Sequence, residues 1–399
     1  MKTVTAMRFN FILIALFLAF GCGETSSPVA PPSKSPDAGP GKPDAAATDM
    51  SNVDGMGKQD GDGGNAPSLT LSIAKTVKVT DGSVYGAASF ARIFERAGGF
   101  YVFVHGVRAE FDGQGPPTDY AEFSAIKLDD DLAVQGSPIV LSLTSKPGDF
   151  AIAKAGNNFY HLTGYAPGWL LAKFDGELNN IGETTIKHTQ YDRANDMVLN
   201  YTNGKLHMMS LYGESMGMSP EIVGPIYGHH FTYDTDLKPA QTDNILKDVE
   251  FMAWGGSIIH QGGEFHVITA DGTTNNQTST LSAHHFDSDW VYSGTTKLAD
   301  NGQWSQGVVY DDGLYYVAYH AGDHSQGNVV VAVYDENWKQ VTSVQVTQHA
   351  PGKGNAFRPW LIKVGSKLYV SYDDVELGGS GGSKPIIYGV VSALDIETP

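Results

Sequence analysis

The sequence predicts an all-β fold: a six-bladed β-propeller of four-stranded antiparallel blades, closed by an N-terminal strand that completes the last blade. Three observations predict it. A pattern recurs six times between Pro67 and Pro399, its spacing suits four short strands per copy, and a clipped sixth copy is matched by an orphan strand ahead of the first.

The first half of each copy is a turn followed by an apolar or aromatic anchor. It reads Gly98-Gly99-Phe100-Tyr101, Asn157-Asn158-Phe159-Tyr160, Asn203-Gly204-Lys205-Leu206-His207, Gly262-Gly263-Glu264-Phe265-His266, Asp312-Gly313-Leu314-Tyr315-Tyr316 and Gly365-Ser366-Lys367-Leu368-Tyr369. Asn-Gly and Asp-Gly steps accept positive φ at low cost and mark tight hairpins. The second half is an apolar residue, an acid, two variable positions and another apolar residue. It occurs as Leu128-Asp129 to Leu132, Phe174-Asp175 to Leu178, Tyr233-Asp234 to Leu237, Phe286-Asp287 to Trp290 and Tyr334-Asp335 to Trp338, with Leu394-Asp395 as the clipped sixth.

Successive anchors lie 47 to 59 residues apart. The intervening runs are short, β-branched and aromatic, with no helical periodicity, which leaves room for four strands per unit. Six blades is the preferred count, and seven requires a further divergent copy. Outer strands are expected at Ser137 to Thr144, Thr184 to His188, Gly294 to Leu298 and Val341 to Thr347. The sixth copy ends too soon for one, and Leu69 to Val79 can supply it, leaving no unpaired edge.

Ahead of the repeats, Lys2 and Arg8 form a positive n-region before an apolar run from Phe11 to Phe20 that is too short to span a bilayer. The run ends in Leu18-Ala19-Phe20-Gly21-Cys22, and Cys22 is the chain's one cysteine. This stretch resembles the lipobox of bacterial lipoproteins at Gly21 and Cys22, although the aliphatic residue sits one place early and Phe20 is bulky. The resemblance implies a signal peptide over 1–21, acylation of Cys22, and anchoring to a lipid bilayer in the bacterial cell envelope. Gly23 after the cysteine implies the outer membrane. An ordinary secretory signal with an incidental cysteine is the alternative.

Residues 22–66 then read as a disordered tether rich in Pro, Gly, Ala, Ser and Asp, unable to bury enough apolar surface to offset ordering entropy. The propeller domain is expected over 67–399. Net charge is -18, and loss of Lys2 and Arg8 with the signal moves it to -20. Such acidity argues against nucleic acid as a partner.

In a propeller the inner strands begin, and the second strands end, on one rim. The second strands are expected to end near His105, Gly164, Leu211, Ala270, His320 and Asp373, and the inner ones to begin near Arg92, Asp149, Asn195-Asp196, Glu250, Gln306 and Arg358. Long loops at Val107 to Asp119, Tyr212 to Gly228, Asp271 to Thr280 and Asp374 to Lys384 crown the same rim.

Only five arginines follow the signal, and Arg92, Arg193 and Arg358 fall at or beside inner-strand starts. Three guanidinium groups on one pocket would recognise a carboxylate or phosphate. The alternative is that each pairs with a neighbouring acid to tie blades together. Among the acids, Asp149, Glu250 and Asp373 are the candidates for a catalytic pair in glycoside hydrolysis.

The layout is similar to sialidase-type and arabinanase-type propellers, which implies action on sugars. No Ser-x-Asp-x-Gly-x-x-Trp box is present, and no residue role transfers from either family. Trp169, Trp304 and Trp360 are candidates for stacking on sugar rings or for packing between blades.

No cofactor and no metal site is expected. His229-His230 and His284-His285 are adjacent on strands and point to opposite faces. His207 and His266 occupy the slot that Tyr101, Tyr160, Tyr316 and Tyr369 fill elsewhere, a structural position. His105 and His320 lie at the rim and are ligand-binding candidates; a metal there would need ligands from separate blades. Asp129-Asp130-Asp131 lacks the alternating oxygens of a calcium loop and reads as a solvated turn. A glycine-rich nucleotide loop in a strand-to-helix setting, a Gly-x-Ser-x-Gly elbow leading into a helix and a His-Glu-x-x-His helix are all missing. The function expected is ligand binding or scaffolding outside the cytoplasm, for a glycan, an anionic small molecule or another envelope protein. Carbohydrate hydrolysis on the same rim is the alternative.

Overall fold

The computed structural model describes residues 69–80, 85–108, 121–144, 150–165, 168–187, 197–212, 227–249, 256–272, 279–323, 326–350, 353–376 and 386–397. The expected signal peptide, Cys22 and the expected tether lie outside them. Every named element among the described residues is a strand, and no helix there is long and apolar enough to cross a membrane.

Six four-stranded antiparallel sheets form a six-bladed propeller. Blade 1 contains β2 (Tyr85–Arg96), β3 (Gly99–Arg108), β4 (Ala121–Leu128) and β5 (Ile139–Thr144). Blade 2 follows with β6 (Phe150–Ala155), β7 (Asn158–Tyr165), β8 (Gly168–Phe174) and β9 (Asn180–Lys187), and blade 3 with β10 (Val198–Thr202), β11 (Lys205–Tyr212), β12 (Tyr227–Tyr233) and β13 (Pro239–Leu246). Blade 4 contains β14 (Gly256–Gln261), β15 (Glu264–Gly272), β16 (Ser279–Phe286) and β17 (Tyr292–Asp300); blade 5 contains β18 (Gly302–Asp311), β19 (Leu314–Asp323), β20 (Gln326–Asp335) and β21 (Gln340–Gln345).

Blade 6 combines both chain ends. Strands β22 (Gly354–Val364), β23 (Lys367–Glu376) and β24 (Ile386–Glu397) are completed by β1 (Thr70–Lys78). β1 runs antiparallel to β24, from Thr70 opposite Glu397 to Lys78 opposite Val390. The orphan strand read from the sequence thus closes the ring.

Burial follows strand position. Middle strands such as β11 are apolar and buried nearly throughout, because both faces meet a neighbouring blade, whereas outer strands such as β17 and β21 alternate with solvent. Six apolar clusters fill the six seams, each drawn from two adjacent blades. The seam between blades 6 and 1 packs Tyr369, Val391 and Ala393 against Ala91, Ile93 and Phe100. The ring is therefore closed by a core as well as by strand pairing.

The second repeated element is the turn between third and outer strands. In five blades its aspartate, Asp129, Asp175, Asp234, Asp287 or Asp335, accepts the backbone N–H groups two and four residues on. The closing residue adopts a left-handed backbone: Leu132, Leu178, Leu237, Trp290 and Trp338 have φ between 60° and 68°. A left-handed conformation costs a side-chain-bearing residue roughly 1–2 kcal/mol. Leu132, Leu178, Trp290 and Trp338 offset it by being buried.

The seams also explain the mixed Tyr/His slot. Tyr101 donates its hydroxyl to the Gly176 carbonyl and Tyr160 to the Thr235 carbonyl, each in the next blade's turn. Those turns close with Leu178 and Leu237. Where the slot holds His207 or His266, the next turn closes with Trp290 or Trp338, with ring centroids 5.9 and 5.2 Å away. A smaller ring faces a larger one, so volume is conserved across each seam.

Candidate functional site

The rim where inner strands begin is organised by two β-bulges. In β2 the register jumps from Ser89 opposite His105 to Arg92 opposite Phe103, which sets Phe90 and Ala91 against one partner residue. In β22 it jumps from Phe357 opposite Asp373 to Trp360 opposite Ser371, setting Arg358 and Pro359 against one. Phe90 has φ 59° and Arg358 φ 53°, strained values for residues with side chains. Arg92 and Arg358 therefore lie within their strands, beside bulges, and not at the strand starts the sequence suggested.

A bulge frees backbone N–H groups from the ladder, and Asp373 takes them. Its Oδ2 accepts the Phe90 N–H at 2.9 Å and its Oδ1 the Ala91 N–H at 3.1 Å, across the seam from blade 6 to blade 1. Arg358 Nη1 is 3.4 Å from Oδ2. Two residues earlier on β23, Ser371 donates to the Ala91 carbonyl at 2.8 Å and accepts the Ile93 N–H at 3.1 Å. Arg92 Nη1 donates to the carbonyls of Ala91 and Arg358 at 3.1 and 2.9 Å.

Asp373 is fully buried, and burial pushes its carboxyl pKa up while Arg358, the Phe90 and Ala91 N–H groups and Arg92 pull it down. Each contact it makes is with a donor, which the carboxylate form fits. Asp373 is thus engaged as a latch between blades.

Arg358 stacks at 4.2 Å over Phe90 and 4.8 Å over Phe357. Arg92 approaches the same Phe90 ring at 5.8 Å and Trp360 at 5.6 Å. The two guanidinium groups therefore share one aromatic neighbour. Arg92 is buried, whereas the Arg358 side chain is 16% exposed.

The rim histidines are packed. His105 meets the edge of Phe150 at 5.8 Å, and burial lowers its pKa to about 4. His161 stacks on Phe123 at 3.7 Å and is lowered to about 3, by burial first and by His105 second. His320 is fully buried and donates Nδ1–H to the Ala356 carbonyl at 2.7 Å in the next blade. A methyl group on Gly327 would collide with its ring. Gly327→Ala is expected to destabilise the protein by about 1–3 kcal/mol through overpacking, read as a lowered denaturation midpoint.

Sequence reasoning missed one pair here. His349, after β21, places Nε2 2.9 Å from Asp374 Oδ1. The tandem Asp373-Asp374 at the end of a second strand was the available signal, because neighbouring residues on a strand serve opposite faces: Asp373 faces blade 1 while Asp374 meets His349. The same alternation sorts the adjacent histidines, with His230 beside His207 at 3.1 Å and His285 beside His266 at 2.9 Å while His284 reaches Asp271 at 2.9 Å.

Arg193, Asp149, Asp196 and Glu250 lie outside the described residues, as does most of each long rim loop. Trp169 is buried against Phe231 in the seam between blades 2 and 3, and Trp360 is partly buried beside Phe94 at 5.4 Å. Among the described residues no group of three or more His, Cys, Asp or Glu is placed to hold a metal ion.

No protein-family model matches the chain, and no curated protein matches it. Solved structures do. A phage phi92 endosialidase aligns with a TM-score of 0.54 at 9% identity, over 84% of this chain and 70% of that one. A Trypanosoma rangeli sialidase in complex with sialic acid aligns at 0.47 and 11%, over 82% and 59%. A glycoside hydrolase family 43 protein from Bacillus licheniformis aligns at 0.40 and 12%, over 63% of this chain and only 57% of its own length. At these identities the likeness is one of fold: the chain is a six-bladed propeller of the architecture found in the phage endosialidase.

Proposed function

We propose that this protein binds an anionic glycan at the bulged rim, and that it does so outside the cytoplasm on a lipid-anchored tether. The observation that carries the binding site is the state of Arg358. Its carboxylate neighbour Asp373 is already occupied by two backbone N–H groups and lies a long 3.4 Å away, so most of the guanidinium's five donors are uncommitted to it. Phe90 and Phe357 hold the group flat, as a planar clamp for a carboxylate requires. Arg92 adds positive potential behind it. The glycan rather than another anion is supported by the fold shared with an endosialidase. The envelope location rests on Leu18 to Cys22 and the tether composition.

Glycoside hydrolysis is the second reading, supported by the same shared fold. With Asp373 engaged as a latch, it would fall to Asp149 and Glu250. A glycan array on full-length protein tests the first reading, and product analysis of any bound glycan tests the second. Arg358→Gln is expected to weaken the best acidic hit at least about tenfold; unchanged binding would overturn the rim assignment. In the same preparations wild type should be acylated at Cys22 by mass spectrometry and Cys22→Ser released from membranes. An unmodified, soluble wild type would contradict the anchor.

A further inference from the structure

Inner strands also converge on the hairpin face opposite the rim. There a cavity of about 320 Å³ is lined by ends of inner strands from five of the six blades, among them Glu95, Lys154, Asn200, Tyr201, Trp360 and Lys363. Trp360 lines it, and Arg92, which does not, stands 5.6 Å from the indole.

Three donors around this cavity lack partners among the described residues. The Trp360 indole Nε1–H is buried with no acceptor. Asn200 uses its carbonyl oxygen to accept the Ile258 N–H at 2.9 Å, which leaves its NH₂ unbonded. The Tyr201 side chain has no hydrogen bond and is 40% exposed at the mouth. Lys154 donates to the Glu95 carbonyl at 2.6 Å and keeps two further N–H donors. The Asn200 NH₂, the Tyr201 hydroxyl and the further Lys154 N–H groups border one mouth and suit a ligand that carries several acceptors.

Charge and size narrow the occupant. Lys363 is paired with Asp311, and Lys154, held on the Glu95 main-chain carbonyl, shares the mouth with the Glu95 side chain, so the formal charges of the four residues sum to zero. The volume is at the lower end for small-molecule sites, enough for one ring and not for a chain. Phe94 and Trp360 supply an apolar wall. We infer that this mouth is a binding site for a single uncharged, hydroxyl-rich ring of monosaccharide size, distinct from the rim.

Saturation-transfer NMR on the full chain, with D-glucose, D-galactose, D-xylose, N-acetylglucosamine and D-glucuronate as probes, tests it. At least one neutral sugar should bind. Tyr201→Phe and Lys154→Met, both mild changes, should each weaken it about fivefold or more, and Arg358→Gln should leave it unchanged. Absence of neutral-sugar binding, a preference for glucuronate, or loss with Arg358→Gln but not with Tyr201→Phe would overturn the inference. Because the rim assignment is read from Arg358→Gln on acidic glycans, failure of either site is visible without the other.

Discussion

Acidification from about pH 7 to about pH 5 is expected to cost this protein a large share of its stability. Burial lowers His207 and His266 to about 4 and His161 to about 3, and holds His230 well below the ordinary range, with a neighbouring histidine or lysine adding to the effect in each. His105 and His285 shift the same way. In the unfolded chain these groups take a proton near pH 6.5, whereas in the folded protein His105, His207 and His266 refuse it until about pH 4 and His161 until about pH 3, with His230 and His285 shifted in the same direction. Stability is therefore full above the unfolded value, falls through the window between about 6.5 and 3, and levels off below it.

At about pH 5 His161 and His207 each cost about 2 kcal/mol, with His266 contributing less for its partial exposure and His230 acting in the same direction, a sizeable share of the ~5–15 kcal/mol by which a domain is typically stable. Asp373, with its carboxyl raised by burial, works in the opposite direction, as one group against six. Urea denaturation across this window measures the effect. A seam swap isolates its source: His266→Tyr with Trp338→Leu recreates the Tyr–Leu pairing of the seams at Tyr101 and Tyr160, and should reduce the pH slope. His266→Tyr alone should be overpacked against Trp338 and less stable by about 1–3 kcal/mol. A pH slope unchanged in the double variant would rule out that seam as a contributor.

Asp373→Ala is expected to destabilise the fold by about 3–5 kcal/mol, because it strands Arg358 and leaves two buried N–H groups without an acceptor. Asp373→Asn should lie between the two, since its NH₂ turns a donor toward donors. The loss should appear in the denaturation midpoint with no ligand present. A catalytic acid would behave differently: its amide variant would keep full stability and lose only turnover. Full stability in Asp373→Ala would show that the seam between blades 6 and 1 does not depend on the latch.

Much of the scaffold was legible in the sequence because its signals are local. Turn residues such as Asn203-Gly204 mark hairpins, alternation marks strands, and the clipped Leu394-Asp395 copy pointed to Leu69 to Val79 as the closing strand, which the pairing of β1 with β24 bears out. The structural reading of His207 and His266 also stands, since comparing copies exposed the shared slot.

The rim was less legible. A bulge adds one residue without announcing itself, and at Phe90 and Arg358 no glycine marks the positive φ, so the arginines were placed at strand starts. The Asp373 latch joins residues more than 280 positions apart, and His349–Asp374 joins a linker to a strand. Neither follows from spacing. The latch follows from ring closure, which brings the first inner strand against the last blade, and the second pair from the path of the linker between blades 5 and 6.

The central functional claim is that the rim reads a negative charge through Arg358. It is tested most directly by calorimetric titration with the strongest acidic glycan from the array, set against the same glycan with its carboxylate methyl-esterified. The account predicts that esterification weakens binding at least about tenfold in wild type and makes little further difference in Arg358→Gln. Equal affinity of wild type for acid and ester would contradict it.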